Sequence, residues 1–111
     1  MVELTILNHL AAKLDVPVSL EKLDPAPTRF VLFEKTGSGR NNRLPNSTFA
    51  FQSYAETLYE AAKLNELVKQ AVDSLVTLDE IGRVELSTDY NFTDTATKQY
   101  RYQAVYNISH Y

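Results

Sequence analysis

The stretch from Lys98 to Ser109 alternates more strictly than any other part of the chain, and it limits what the chain can fold into. On an extended backbone Tyr100, Tyr102, Ala104, Tyr106 and Ile108 fall on one side. Gln99, Arg101, Gln103, Asn107 and Ser109 fall on the other, with Val105 the single break. A strand with one apolar face has to pair in a sheet and bury that face against a second layer. The rest of the chain must supply the pairing strands and the cover.

Two segments offer cover. Val2, Ile6, Leu10 and Leu14 stand four apart, with Leu7 and Ala11 beside them, which predicts an amphipathic helix of about three turns. Ser53 with Glu56 three residues later reads as a capping box. The helix it opens carries Leu58, Ala61, Ala62, Val68, Ala71, Val72 and Leu75 on one stripe and runs to Leu75 or Val76. Between them, Asp15–Thr28 holds Pro17, Pro25 and Pro27 and is expected to be an extended connector.

The pairing strands follow from composition. Arg29–Thr36 is rich in aromatic and branched residues and suits a strand buried on most of both faces. Thr36–Ser47 reads as a turn-rich loop, and Thr48–Gln52, alternating around Phe49 and Phe51, as its hairpin partner. After the Asp79-Glu80 turn and Gly82, Val84, Leu86 and Thr88 alternate with Arg83, Glu85 and Ser87 as a further strand, and Tyr90–Thr97 connects it to the last. The expected architecture is an α+β two-layer sandwich: a mostly antiparallel four-stranded sheet covered by two helices in the order αββαββ. The 111 residues suit one domain, residues 1–111.

Composition narrows the function by exclusion. No Cys is present, so Cys-based zinc sites, haem attachment and thiol chemistry drop out and no oxidising compartment is needed. No apolar run approaches the roughly 20 residues of a membrane span, and the N-terminus lacks a secretory pattern. The chain is therefore expected to fold in cytoplasm without a membrane partner. A formal charge of -3 disfavours tight nonspecific nucleic-acid binding, which depends on phosphate neutralisation.

No catalytic set emerges. His9 and His110 sit in no metal or nucleophile motif and are expected to be solvated, and there is no G-x-S-x-G elbow. The carboxylates match no calcium loop, so neither metal nor cofactor is expected. Gly37, Ser38, Gly39, Arg40, Asn42 and Arg43 form a phosphate-friendly loop by composition, yet it opens onto a strand and lacks the Lys-Ser/Thr ending of a P-loop. The three Asn-x-Ser/Thr matches lack a secretory context. The polar side of the last strand, with Arg101, Gln103, Val105 and Asn107, is a plausible protein contact surface.

Taken in order, the leading helix, Pro27-Thr28-Arg29-Phe30-Val31-Leu32-Phe33-Glu34-Lys35-Thr36-Gly37, Phe51-Gln52-Ser53-Tyr54-Ala55, Glu60-Ala61-Ala62, Tyr90-Asn91-Phe92-Thr93-Asp94 and Arg101-Tyr102-Gln103-Ala104-Val105-Tyr106 resemble the tail terminator (tail completion) proteins of long-tailed bacteriophages and prophages. The glycine pair usual after the first strand is split here by Ser38, and Thr93 stands where relatives often have Pro. The resemblance implies a non-enzymatic virion protein at the head-proximal end of the tail, assembled in the host cytoplasm as a homohexameric ring. Its partners would be itself, the major tail tube protein and the head-tail connector, with DNA only passing through. It also implies an interface at Asp94, Arg101, Gln103, Tyr102 and Phe92, with Asp94 and Arg101 pairing within or between subunits, and a tube- or DNA-facing loop at Gly37, Gly39, Arg40, Asn42 and Arg43. The alternatives are another head-tail completion protein or a small nucleic-acid-binding domain.

Overall fold

The computed structural model describes residues 1–41 and 44–111. Asn42 and Arg43 of the expected loop lie outside the described residues. Helix α1 spans Val2–Lys13, followed by strands β1 (Val18–Ser19), β2 (Phe30–Asn41) and β3 (Leu44–Ala55). Helix α2 spans Leu58–Asp73 and continues into a 3₁₀ turn at Ser74–Thr77, and strands β4 (Ile81–Asn91) and β5 (Tyr100–His110) complete the chain. The sheet order is β1-β2-β3-β5-β4, with β1 parallel to β2 and every other pair antiparallel.

The α+β class with two helices stands, but the four-stranded antiparallel sheet does not. A fifth strand makes the sheet mixed. It comes from the Pro connector, where Val18 and Ser19 lie beside Val31 and Leu32 and the Pro17 carbonyl accepts from the Val31 N–H at 2.8 Å. Proline fixes the chain as extended without preventing its carbonyls from joining a ladder.

Three local expectations are also corrected. Thr36–Ser47 is not a loop: apart from Thr36, bulged out where the register shifts between Lys35 and Gly37, the β2–β3 ladder continues through Gly39↔Asn46 and Arg40↔Pro45 to Asn41↔Leu44. Ladder bonds are backbone bonds, and the glycines here keep negative φ, so a Gly- and Ser-rich composition lowers strand propensity without forbidding pairing. β2 is buried on both faces only at its start: Phe30, Val31 and Phe33 are buried and Leu32 is half-buried, while Glu34 and Lys35 are exposed. Ser53 does not cap α2. It lies buried within β3, and the cap is Thr57, whose side chain accepts from the Glu60 N–H at 3.1 Å.

The core lies between the helices and one face of the sheet. Phe33, Phe49, Phe51, Ala104, Tyr106 and Ile108 meet Leu64, Val68, Val72 and Leu75 from the α2 side and Ile6 and Leu10 from α1. Phe33 stacks on Phe51 at 5.3 Å, and Phe51 meets Tyr106 edge-on at 5.8 Å. Burying each such ring is worth about 1.5–3 kcal/mol. The Tyr106 hydroxyl, inside this core, donates to Asp73 Oδ1 at 3.0 Å, and burial followed by Asp73 raises its pKa.

Neither histidine is solvated as expected. His9 Nε2 lies 2.7 Å from Ser74 Oγ and His110 Nε2 lies 3.0 Å from Ser47 Oγ, both partly buried. The 3₁₀ turn brings Ser74 to α1, and His110 belongs to a paired strand, so it is not a frayed end. The Ser74 hydroxyl itself donates to the Ala71 carbonyl at 2.7 Å, which leaves its oxygen to accept from the ring.

Two outcomes test this description. Thr57→Ala should lower the unfolding free energy by about 1 kcal/mol, as loss of a cap does, whereas Ser53→Ala should leave it unchanged or raise it, because Ser53 Oγ has no partner. Equilibrium urea unfolding of both variants decides which residue starts the helix. Burial holds the pKa of both His9 and His110 below 6.5, with Lys13 adding to the effect at His9. The unfolded chain therefore binds more protons just below that pH, so stability is complete above about pH 6.5 and falls as the pH drops through the lowered folded values. Urea midpoints at pH 7.5 and 5.5 should differ in that sense, and His9→Gln with His110→Gln should flatten the difference.

Candidate functional site

Because α1 and α2 pack on one face of the sheet, the other face has no covering helix among the described residues. Registers place Tyr54, Gln52, Ala50 and Thr48 of β3 on that open face beside Arg101, Gln103, Val105 and Asn107 of β5. Tyr90 and Thr88 of β4 flank them on the far side. The parity of β4 is secured from behind: Asp89 faces the helices, where Lys69 Nζ reaches it at 2.8 Å and Asn65 Nδ2 at 3.0 Å. The Lys69 hydrogen bond holds the Asp89 carboxyl below its ordinary pKa. With Asp89 pinned inward, Tyr90 must point outward.

The polar groups of the open face are tied to one another. Gln52 Nε2 donates to Gln103 Oε1 at 2.8 Å, and Gln52 Oε1 accepts from the Tyr54 hydroxyl at 3.1 Å. Gln103 Nε2 donates to the Tyr90 hydroxyl, so one chain of bonds crosses β3, β5 and β4. Thr48 Oγ1 donates to Asn107 Oδ1 at 2.8 Å further along. Gln103 is only 8% exposed, which means these amides are fixed by their neighbours and are not free surface side chains.

Arg101 sits at one end of this chain. Its Nε donates to the Phe92 carbonyl at 2.7 Å and its Nη1 to the Tyr54 hydroxyl at 3.1 Å. The guanidinium carbon lies 4.6 Å from the Phe92 ring centre and 5.6 Å from that of Tyr54. Tyr54 also stacks on Phe30 at 4.4 Å, and Tyr90 meets Phe92 edge-on at 5.8 Å. Tyr90 and Phe92 remain 40% and 39% exposed, so this end of the face presents aromatic surface around a cation.

The residues singled out from the sequence divide accordingly. Arg101 and Gln103 lie on the open face with Phe92 packed against Arg101, whereas Tyr102 is opposite Ser53 and faces the helix layer. Asp94 is close but forms no ion pair with Arg101 within the chain. Its Oδ1 accepts from the Ala96 N–H at 3.0 Å and the Thr97 N–H at 3.4 Å, and it caps the hairpin turn. The Thr97 side chain first, then the Ala96 and Thr97 N–H groups and the charge of Arg101, keep its carboxyl below the ordinary pKa. In that turn Lys98 takes φ 56°, a left-handed conformation that a non-glycine residue adopts at some cost. Gly37 and Gly39 are exposed on the outer rail of β2, with open space where a Cβ would stand, and Arg40 pairs with Pro45.

Sequence reasoning missed Tyr54, Gln52 and Tyr90. Placing the start of a helix at Ser53 removed Tyr54 from the strand, and ending β4 at Thr88 removed Tyr90. The signal was present in Thr48, Ala50, Gln52 and Tyr54, which share one parity.

Elsewhere, a groove between the end of α1 and α2 is lined by Lys13, Asp15, Leu67, Gln70 and Ser74, whose hydroxyl lies 2.7 Å from His9 Nε2 and donates to the Ala71 carbonyl. Among the described residues no group of three or more His, Asp or Glu side chains is placed to hold a metal ion, and no helix is long and apolar enough to cross a membrane. No protein-family model matches the chain, and no curated protein sequence matches it.

If the amide chain is a connected unit, Gln52→Ala and Gln103→Ala should show coupling of about 1 kcal/mol in a double-mutant cycle of unfolding free energies. Strict additivity would mean that the two amides act independently.

Proposed function

We propose that the chain is a structural subunit of the tail-terminator kind, closing into a ring on the end of a phage or prophage tail tube and presenting the surface that joins the head. The observation that carries this reading is the open sheet face, whose polar side chains are ordered by one another and ringed by Arg101, Tyr54, Tyr90 and Phe92. Preordered Tyr and Arg groups around an uncharged centre are the composition of protein contact surfaces. Gln52, Gln103, Ala50 and Val105 supply that centre, and the ordering reduces the side-chain entropy lost on docking.

Two further features agree. The β2–β3 ribbon continues two rungs past the Asn46↔Ser109 pair, through Arg40↔Pro45 and Asn41↔Leu44, in a molecule measuring 42 × 24 × 23 Å. Such an arm suits contact with a neighbour in a ring. A formal charge of -3 suits a ring through which DNA passes without adhering. Within this reading the protein acts by assembly and carries out no chemistry, and its partners are other copies, the tube protein and the head-tail connector. Another completion protein of the same joint is the nearest alternative. The nucleic-acid reading has less support, because Tyr102 and Tyr106, which suggested it, lie on the helix side of β5.

Native mass spectrometry at rising concentration, alone and with the tail tube protein, should detect ring-sized assemblies, and a chain that stays monomeric with tube protein present would overturn the reading.

A further inference from the structure

We propose that Arg101 is a carboxylate anchor on the open face, and that the carboxylate comes from a neighbouring copy of the chain. The second half rests on the reading of this face as an assembly surface.

Three observations carry the inference. Arg101 is held as though for a ligand: two rings flank its guanidinium, and two of its N–H groups are bound to the Phe92 carbonyl and the Tyr54 hydroxyl. These contacts fix the plane of the guanidinium and leave Nη2 without a partner among the described residues. Next, the other arginines with described side chains already hold acids: Arg29 pairs with Glu56 and Glu60, and Arg83 with Glu85. Arg101 has no carboxylate partner among the described residues, since Asp94 is engaged by Ala96 and Thr97. Finally, the chain carries exposed carboxylates such as Glu21, Asp79 and Glu80 that have no basic partner among the described residues. A second copy therefore brings the complementary charge.

The physical gain lies in preorganisation. A free surface arginine gives up most of its rotamer freedom to bind an acid, which is why exposed ion pairs are worth only about 0–1 kcal/mol. Arg101 has lost that freedom already, and the Nη2 N–H groups of a guanidinium held rigid can donate to a carboxylate without further ordering.

Arginine side-chain NMR offers a direct test, because the Nε–H of Arg101 is hydrogen-bonded and should be observable. Titration with a tetraglutamate peptide should shift the Arg101 signal saturably and leave that of Arg29 in place. Arg101→Lys, which keeps the charge and loses the fork, should weaken peptide binding about tenfold. An unmoved Arg101 signal, an equal shift at Arg29, or a larger response to an oligothymidylate of matched charge would overturn the anchor. In native mass spectrometry, Arg101→Lys should need about tenfold more protein to assemble, and assembly at the wild-type concentration would overturn the second-copy source. A wild-type chain that never assembles would remove that source together with the ring reading, while a selective peptide shift would still support the anchor.

Discussion

The uninterrupted ladder between β3 and β5, from Asn46↔Ser109 to Ala55↔Tyr100, joins two local hairpins into one sheet. β2–β3 and β4–β5 each form from neighbouring sequence, but residues such as Gln52 and Gln103 meet across 51 positions. Closing that distance costs chain entropy, and the return is the core: Phe49 is opposite Tyr106 and Phe51 opposite Ala104 on the covered side. Helix α2 links the hairpins and lies on the face their union creates, so the connection and the cover are one element. The fold and the candidate surface are thus two faces of a single pairing. The same ladder that aligns the core rings aligns Gln52 with Gln103 and Tyr54 with Arg101 on the other side.

The two faces differ in what holds them. Toward the helices, apolar burial dominates and the polar groups that intrude are answered locally, as Tyr106 is by Asp73 and Asp89 by Lys69 and Asn65. Toward the open side there is little apolar area to bury, and order comes from amides, hydroxyls and stacked rings bonded along the surface. Such a face has traded contact with water for contact within itself before any partner arrives.

Legibility of the chain followed the strength of local physics. β5 was readable because its alternation is nearly unbroken, and α2 because its stripe is wide, though Leu64 was overlooked. The ribbon beyond Thr36 was not, since Gly, Ser and Asn favour turns when nothing else is paired with them, and only the partner strand settles the matter. Thr57 and Glu60 present the same capping pattern as Ser53 and Glu56, and which one starts the helix depends on how far β3 is drawn along β5. The two Ser–His contacts and the parallel strand β1 join residues far apart in sequence and left no periodic trace. At the candidate site Arg101 and Gln103 were visible from β5 alone and Gln52 lay in the Thr48–Gln52 strand, whereas Tyr54 and Tyr90 required the full lengths of β3 and β4.

The β4 ladder shifts register between Leu86 and Thr88, with Leu86 opposite Tyr106 and Thr88 opposite Val105, so Ser87 is an extra residue with no counterpart on β5. That one residue works as an index. Between the earlier shift at Gly82 and Ser87, even-numbered positions of β4 look toward the helices; after Ser87, odd-numbered ones do, which sends Asp89 inward to Lys69 and Tyr90 outward to Gln103. The bulge therefore decides which residues of this strand face inward. If the ladder instead ran regularly through Ser87, pairing it with Val105, the inner and outer sets would exchange from Thr88 onward, turning an acid toward solvent and a phenol into the core.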